Sequence, residues 1–506
     1  MIRILTASKD TYITNKIIDN SFRATDANLG QAGSLDLFKL YNENVITSET
    51  YPIELSRILI KFPIEEITSM NNNGLIDVND SSFKCKIKLH DIYGGQTTPN
   101  NFKLILFPLS QSFDEGRGMN VVTYSDLDAT NYITASYQNG TVFAWNNPGA
   151  QASGSLRQEN IDIITSGTLD NSVGAISLSS EQFFTEGTED LDLDVTTIVS
   201  GTVAGLIPDH GFLISYSGSY EKDNRSYFVK RFASRNVSVS ALRPKMIINF
   251  DDSILDNHSN MIFNVTSSLY LNNYHQGVSS NILSGASATP LTGENCLAVK
   301  IESGSFKKIF NASQALRGQN RITGLYSSSF AISSFDSVLY EQANLTGSIT
   351  FNEVWTNTSE TVTYLSSSIT IKRESREITN SINQNNILVS VLNLNSEYSP
   401  GEIIKLRVFA ENRDREITYV KKPYEKKSEI FNNMHFRVRD VLDGNLILDF
   451  DTQNNSTRLS TDSDGMYFSF YTDSLPRGRV YRFEFLIRRN GIDKIVKDAA
   501  SKFKIV

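Results

Sequence analysis

The chain has 506 residues and a formal net charge of −8, with 48 Lys and Arg against 56 Asp and Glu. This mild acidity argues against a dedicated nucleic-acid binder, which is usually strongly basic. The length exceeds what one hydrophobic core supports, so roughly two to four domains are expected.

Phe and Tyr are plentiful, at 29 and 21 against 2 Trp, which favours folded β structure over disorder. Cys85 and Cys296 fall in different expected domains and have no metal-ligand neighbours. They read as small buried hydrophobes of a protein made in a thiol-reducing compartment. Met1-Ile2-Arg3-Ile4 runs straight into a strand-like segment, with no signal peptide expected. No apolar run approaches the ~20 residues that cross a bilayer, so membrane insertion is not expected. The sequons at Asn236 and Asn264 carry little weight without secretion.

In chain order, Asp10-Thr11-Tyr12-Ile13 is a β-rich first strand, Asn28-Leu29-Gly30 a turn, and Ser34 to Phe38 an alternating strand. Arg57 to Ile64 follows, then a polar run into Cys85-Lys86-Ile87-Lys88-Leu89, whose strict alternation predicts one wet face. Lys103 to Leu109 is the next strand. From Arg117 to about Ser180 the chain is long and polar, with a loop signal at Trp145 to Ala150. Segments of this kind are functional, partner-bound or solvated decoration. Leu191 to Thr196 leads to Gly211 and the compact apolar run Phe212 to Tyr216, predicted as a strand buried on both sides. Tyr227, Val229 and Phe232 then alternate with polar residues, and Arg243-Pro244 precedes a closing strand, Met246 to Phe250.

Leu193-Asp194-Val195-Thr196, Gly211-Phe212-Leu213-Ile214, Asp223-Asn224-Arg225, Phe232-Ala233-Ser234-Arg235 and Arg243-Pro244 stand in a fixed order. Together with Asp10 to Ile13, the Leu29-Gly30 turn, the Arg57 to Phe62 strand and Phe113-Asp114-Glu115-Gly116, they resemble the DNRLRE-type β-sandwich. That family is a jelly roll related to carbohydrate-binding modules. The likeness covers about half the chain and departs from the family pattern after Arg225, where Ser226-Tyr227 stands in place of Leu-Arg. It implies a sandwich over residues 1–252 with an insertion near 117–180.

Residues 253–372 carry short strands, such as Met261 to Val265, Cys296 to Ile301, Gly347 to Trp355 and Val362 to Leu365, between Ser/Gly/Asn-rich spacers. They predict a second β-sandwich. Residues 373–506 begin with Ile387 to Leu392 and continue through Ile404 to Ala410, an Asp443-Gly444 hairpin signal and Val480 to Ile487. These predict an immunoglobulin-like domain. Thr457 to Asp462, Tyr467 to Phe470 and Leu475 to Tyr481 resemble C-terminal modules of structural proteins in large tailed bacteriophages. The expected fold is therefore all-β, a tandem of β-sandwiches, with no repeat or heptad that would build a solenoid or shaft.

The search for chemistry finds little. His90, His210, His258, His275 and His435 are scattered and predict packing rather than a zinc site. No Gly-x-Ser-x-Gly, catalytic cysteine signature or phosphate loop occurs. Acidic runs stand at Asp114-Glu115, Glu189 to Asp194 and Asp449 to Asp451. A glycosidase would hold two carboxyls about 5–10 Å apart across a cleft. Asp192 and Asp194 share one strand face, where they either meet solvent or flank a cation. Asp462-Ser463-Asp464-Gly465 resembles part of a calcium loop without its distal Glu and is read as a turn. Tyr93, Tyr137, Trp145, Tyr216, Tyr220 and Tyr227 are the loop or edge aromatics that would form sugar-stacking platforms or subunit contacts. Lys421 to Lys427 is a basic loop suited to solvent or to an acidic neighbouring subunit.

The resemblances imply a non-enzymatic bacteriophage virion protein of the tail, baseplate or neck, made in the host cytoplasm and needing no cofactor. Its partners would be other virion proteins and copies of itself. The competing expectation is a carbohydrate-binding or host-adhesion protein that uses the first sandwich on host surface glycan. A glycan-degrading enzyme is a third.

Overall fold

The structure is a computed structural model describing residues 1–41, 53–92, 100–122, 128–170, 174–223, 227–285, 287–373, 387–412, 428–489 and 491–506. It is an all-β protein of several sheets. The chain forms two compact units. The first comprises Arg3–Asn72 and Phe83–Asn249; the second comprises Met1–Ile2, Asn73–Ser82 and Phe250–Val506.

The first unit is a β-sandwich. Its smaller sheet runs Ile2–Thr6, Lys245–Asn249, Lys84–Leu89, Leu191–Asp194. Alternation builds it: Cys85, Ile87 and Leu89 are buried, while Lys86 and Lys88 face outward. The neighbouring strand matches in register, with Leu191 opposite Leu89 and Leu193 opposite Ile87. Asp192 stands opposite Lys88 and Asp194 opposite Lys86, so opposite charges meet on the wet face.

The larger sheet runs Ser180–Phe184, Phe102–Pro108, Phe212–Tyr216, Ile53–Lys61, Ser34–Tyr41, Phe228–Ala233. Lys9–Thr14 also pairs with Ile53–Lys61. Every residue of Phe212–Tyr216 is buried, as its unbroken apolar run requires. In Phe228–Ala233 the inward residues are Phe228, Lys230 and Phe232, not Tyr227 and Val229 as alternation with polar residues suggested. The reason is that a lysine occupies an inward position.

Among the described residues three α-helices interrupt this unit, the shortest being Gly218–Lys222. Ile64–Asn72 buries Ile64 and Ile67, three residues apart on one face, and has Glu65 and Glu66 in its first turn. Thr196–Val203 buries Ile198, Val199 and Gly201.

The second unit contains a six-stranded antiparallel sheet, Ser267–Asn272, Asn320–Phe330, Phe306–Arg317, Leu297–Ser303, Ser348–Thr356, Thr363–Lys372. Its core gathers Met261, Leu269, Val299, Phe351, Trp355 and Ile371. Met261 to Val265 is not a strand, although Met261 and Phe263 are fully buried. Two further sheets follow: Ile387–Val391, Ile403–Asn412, Gly465–Tyr471, Ser460–Asp462, and Glu397–Tyr398, Ile492–Ile505, Val480–Arg489, Met434–Asp440, Leu446–Leu448. Phe436 of one stacks on Phe468 of the other with ring centroids 4.3 Å apart, and Phe468 and Phe470 meet Phe483 edge-on. This is immunoglobulin-like sandwich packing, in which inner faces interdigitate. The Tyr481 hydroxyl, at the start of its strand, donates to the Pro476 carbonyl at 2.6 Å. That bond matches the tyrosine corner of such sandwiches.

Candidate functional site: a rigid insertion and an aromatic rim

The long segment after Arg117 is ordered around one carboxylate. Asp162 is fully buried and accepts from the backbone N–H groups of Asn146 (2.8 Å), Asn147 (3.1 Å) and Ala152 (2.9 Å). Gln111 Nε2 adds a further bond at 2.9 Å. Donors converging on one buried carboxylate replace its lost hydration and fix the Trp145 to Ala152 loop.

Trp145 is a core residue, not a surface platform. It is 4% exposed, its indole N–H donates to Asn131 O at 3.0 Å, and its ring packs with Ala150, Ile163, Ile13, Leu59 and Leu213. The insertion thus covers one face of the larger sheet. Arg57 ties it down, donating to Gly149 O at 2.5 Å and pairing in two-pronged fashion with Glu221 at 2.9 and 2.6 Å.

From this base a hairpin, Thr134–Gln138 with Thr141–Ala144, stands out. Its turn is Asn139-Gly140, both with positive φ (50° and 82°), the pair that the tightest hairpin turn demands. All four residues of Thr141–Ala144 are exposed. Ile133, Val142 and Phe143 show 47%, 54% and 46% of their surface to solvent. Tyr137 is half-buried, and its backbone N–H donates to Asp114 at 2.8 Å.

Tyr216 is also interior: its hydroxyl donates to Leu37 O at 2.9 Å and its ring stacks on Phe228 at 5.0 Å. Burial pushes its phenol well above the ordinary value. Tyr220 and Tyr227 do come together, through a residue the sequence reading passed over. Lys39 is fully buried and donates to Tyr220 O (2.7 Å), to the Asp223 carbonyl and to Asp223 Oδ1 (2.8 Å). Its ammonium lies 5.8 Å from the centre of the Tyr227 ring. Tyr227 in turn meets Tyr41 at 5.8 Å, with a 51° tilt, and both rings are exposed. The exposed pair Tyr41 and Tyr227 is what remains of the expected platform, since the Tyr220 ring meets Phe228 edge-on at 5.9 Å; Tyr93 lies outside the described residues, as do Lys421 to Lys427.

A second buried lysine mirrors the first. Lys230 Nζ donates to Asp91 Oδ1 (2.5 Å), Gly187 O and Glu189 O (both 2.8 Å), between the rings of Phe184 and Phe232, each 5.1 Å away. Both lysines bind backbone carbonyls of connections at the ends of strands. They act as internal clamps.

The acidic runs resolve into pairing and turns. Asp192 meets Lys86 at 3.4 Å. Glu115 forms a two-pronged pair with Arg235 at 2.8 and 2.6 Å and accepts from Asp10 N at 3.0 Å. Asp10 is 1% exposed, with Oδ1 lacking a partner; burial first, and Glu115 beside it, push its carboxyl up to about 7 against the opposing Arg235 N–H. Asp451 caps a turn by accepting from Gln453 N, Asn454 N and Ser456 Oγ. Asp462 accepts from Asp464 N at 3.0 Å and pairs with Arg407. Among the described residues no three His, Cys, Asp or Glu converge as metal ligands would, and no helix is long and apolar enough to cross a membrane.

Of the histidines, His90 pairs with Asp190 at 2.9 Å, while His258 bridges two carboxylates. Its Nδ1 lies 2.5 Å from Asp256, its Nε2 2.9 Å from Glu353. Burial opposes the imidazolium, but the two carboxylates raise its pKa to about 10. His435 behaves oppositely: burial, then Arg458 and Arg488, push it down to about 4.

No known protein family matches the chain, and no curated protein does. Solved structures give faint likenesses. A titin A168–A169 structure is 9% identical, covering 51% of this chain and 96% of its own, with a TM-score of 0.13. Chicken CNTN1 FN1–FN3 domains are 8% identical over 55% of this chain and 83% of theirs, at 0.14. A Salmonella alpha-2-macroglobulin reacted with methylamine is 9% identical over all of this chain but only 34% of its own length, at 0.16. These scores reflect shared strand content rather than a superposable fold.

Proposed function

We propose that the chain is a non-enzymatic structural component of a tailed-bacteriophage virion, in the tail, baseplate or neck, which docks neighbouring subunits through its β-sandwiches. The observation that carries this reading is the hairpin around Asn139-Gly140. It exposes Ile133, Val142 and Phe143 on a base locked by Asp162, Trp145 and Arg57. Exposed apolar side chains on a rigid support suit a protein interface, because docking them costs little ordering entropy. The order of motifs over the first unit and over Thr457 to Tyr481 supports the same reading. The test is mass spectrometry of purified particles together with incorporation of a Val142→Lys, Phe143→Ser double variant. Stoichiometric wild-type protein and a variant left out of particles are expected. Particles that lack the wild-type protein would overturn the reading.

A second reading, glycan binding by the first unit, is favoured by one observation: the exposed Tyr41 and Tyr227 rings over the Lys39 clamp. Titration with host envelope polysaccharide, using wild type and Tyr227→Ala, tests it. Binding that is lost in the variant would replace assembly by adhesion as the leading role.

A further inference from the structure

We propose that the strand Thr363–Lys372 is a self-pairing edge through which two copies of this chain join their six-stranded sheets into one continuous sheet. The inference goes beyond the reading above and does not depend on it.

Thr363–Lys372 is the last strand of its sheet, bonded on one side to Ser348–Thr356. Its ladder is regular from Leu365 to Lys372, with a register shift only at Trp355/Thr356. In an antiparallel ladder successive residues alternate between bonding inward and pointing outward. Lys372 fixes the phase: its N–H donates to Met261 O at 3.0 Å, and its carbonyl accepts from Phe263 N at 2.9 Å, both on the outer side. The backbone groups of Thr370, Ser368 and Ser366 therefore also point outward, along a stretch whose side chains are mostly exposed.

Protected edges carry charge, proline or an inward-turned bulge. Residues 363–371, Thr-Tyr-Leu-Ser-Ser-Ser-Ile-Thr-Ile, have no charge and no proline. They are also self-complementary. A two-fold axis at Ser367 sets Ser366 opposite Ser368 of the second copy and Leu365 opposite Ile369. Tyr364 and Thr370 then flank the pair. The residues placed opposite one another in the bonded positions, 366 with 368, both point outward, so the register satisfies the backbone phase as well as the side chains. The segment Met261 to Phe263 already holds the outer groups of Lys372, so the free pairing stretch runs from Tyr364 to Thr370. A two-fold contact of this kind closes on itself and yields a dimer.

The test is light scattering across a wide concentration range on the full chain and three variants. Ser366→Pro removes an outward N–H without touching the inner ladder, and Ser368→Lys places a charge on the edge. Wild type is expected at twice the chain mass, with both variants at single-chain mass and unchanged circular dichroism, which shows that they remain folded. Ser367→Cys is expected to cross-link to a covalent dimer on oxidation, at the axis, where wild type does not. A wild type of single-chain mass at every concentration, variants that keep the wild-type mass, or failure of Ser367→Cys to cross-link would each overturn the proposal.

Discussion

The Nε2 atom of His258 lies 2.9 Å from Oε1 of Glu353, a carboxylate with no exposed side chain, and the Trp355 indole donates to that same oxygen at 2.6 Å. Asp256 holds the other imidazole nitrogen, and its carbonyl accepts from Thr461 Oγ1 at 2.8 Å. One imidazolium therefore joins the six-stranded sheet to the connection that is bonded to Ser460–Asp462. Its folded pKa, about 10, exceeds its ordinary 6.5. The native state keeps the proton longer than the unfolded chain, so this stabilisation is complete below pH 6.5 and is lost as pH rises toward 10. Thermal unfolding between pH 6 and 10 should show that loss, and His258→Gln should flatten it.

Asp10 contributes a second slope with the same sign but another window. Its native carboxyl sits near 7 instead of the ordinary 3.8, so its favourable contribution is present below pH 3.8 and lost as pH rises through 7. Asp10→Asn removes the ionisation. The variant should melt higher than wild type at pH 8 and at nearly the same temperature at pH 4. A scan of melting temperature against pH for the pair checks this.

Lys230→Met leaves the mostly covered Asp91 without its partner and the Gly187 and Glu189 carbonyls without their donor. Breaking a buried pair from one side costs about 3–5 kcal/mol. Urea unfolding should show a loss of that size, against almost none for Lys86→Met on the wet face, whose exposed pair is worth about 0–1 kcal/mol.

Tyr481→Phe tests the corner of the last sandwich. It deletes one buried hydroxyl and leaves the ring among Phe503 and its neighbours. The expected cost is about 1–2 kcal/mol, read by denaturant unfolding.

Val142→Lys with Phe143→Ser should leave the unfolding free energy within about 0.5 kcal/mol of wild type, since both side chains are exposed. Calorimetry checks it, and the result is what allows any loss of incorporation to be read as a lost contact.

The strands that sequence made legible share one property: a single wet face or none. Lys84–Leu89 and Leu191–Asp194 alternate because water lies on one side, and Phe212–Tyr216 does not because water lies on neither. Phe306–Arg317 and Asn320–Phe330 escaped notice because exposed Lys, Asn and Ser interrupt their apolar positions. The helices Ile64–Asn72 and Thr196–Val203 are too short for a 3.6-residue period to stand out. Trp145 was misplaced for a different reason, and Tyr216 was named as a platform candidate although its strand read as buried on both sides. Trp145 looks like a loop aromatic, yet it and Tyr216 each find a backbone carbonyl for the polar atom inside the core. Lys39 and Lys230 were invisible as core residues, since charge normally signals solvent and only the folded connections supply the carbonyls that receive them. The Tyr220–Tyr227 neighbourhood was foreseen as aromatic; the lysine that assembles it was not.

The assignment of Asn73–Ser82 to the second unit has a consequence for biosynthesis. Within that unit Asp77 accepts from Gln319 N at 2.8 Å, and Leu75 O accepts from Arg317 at 2.8 Å. The ribosome makes Asp77 more than two hundred residues before either partner. The chain of the first unit is complete at Asn249, while residues 73–82 await a partner strand not yet translated. Folding should therefore be vectorial, the first unit maturing on the nascent chain and the second closing only near release. Ribosome-bound chains halted near residue 300, with Asn249 clear of the exit tunnel, should already protect the first unit from protease and leave the bond after Leu75 open to cleavage.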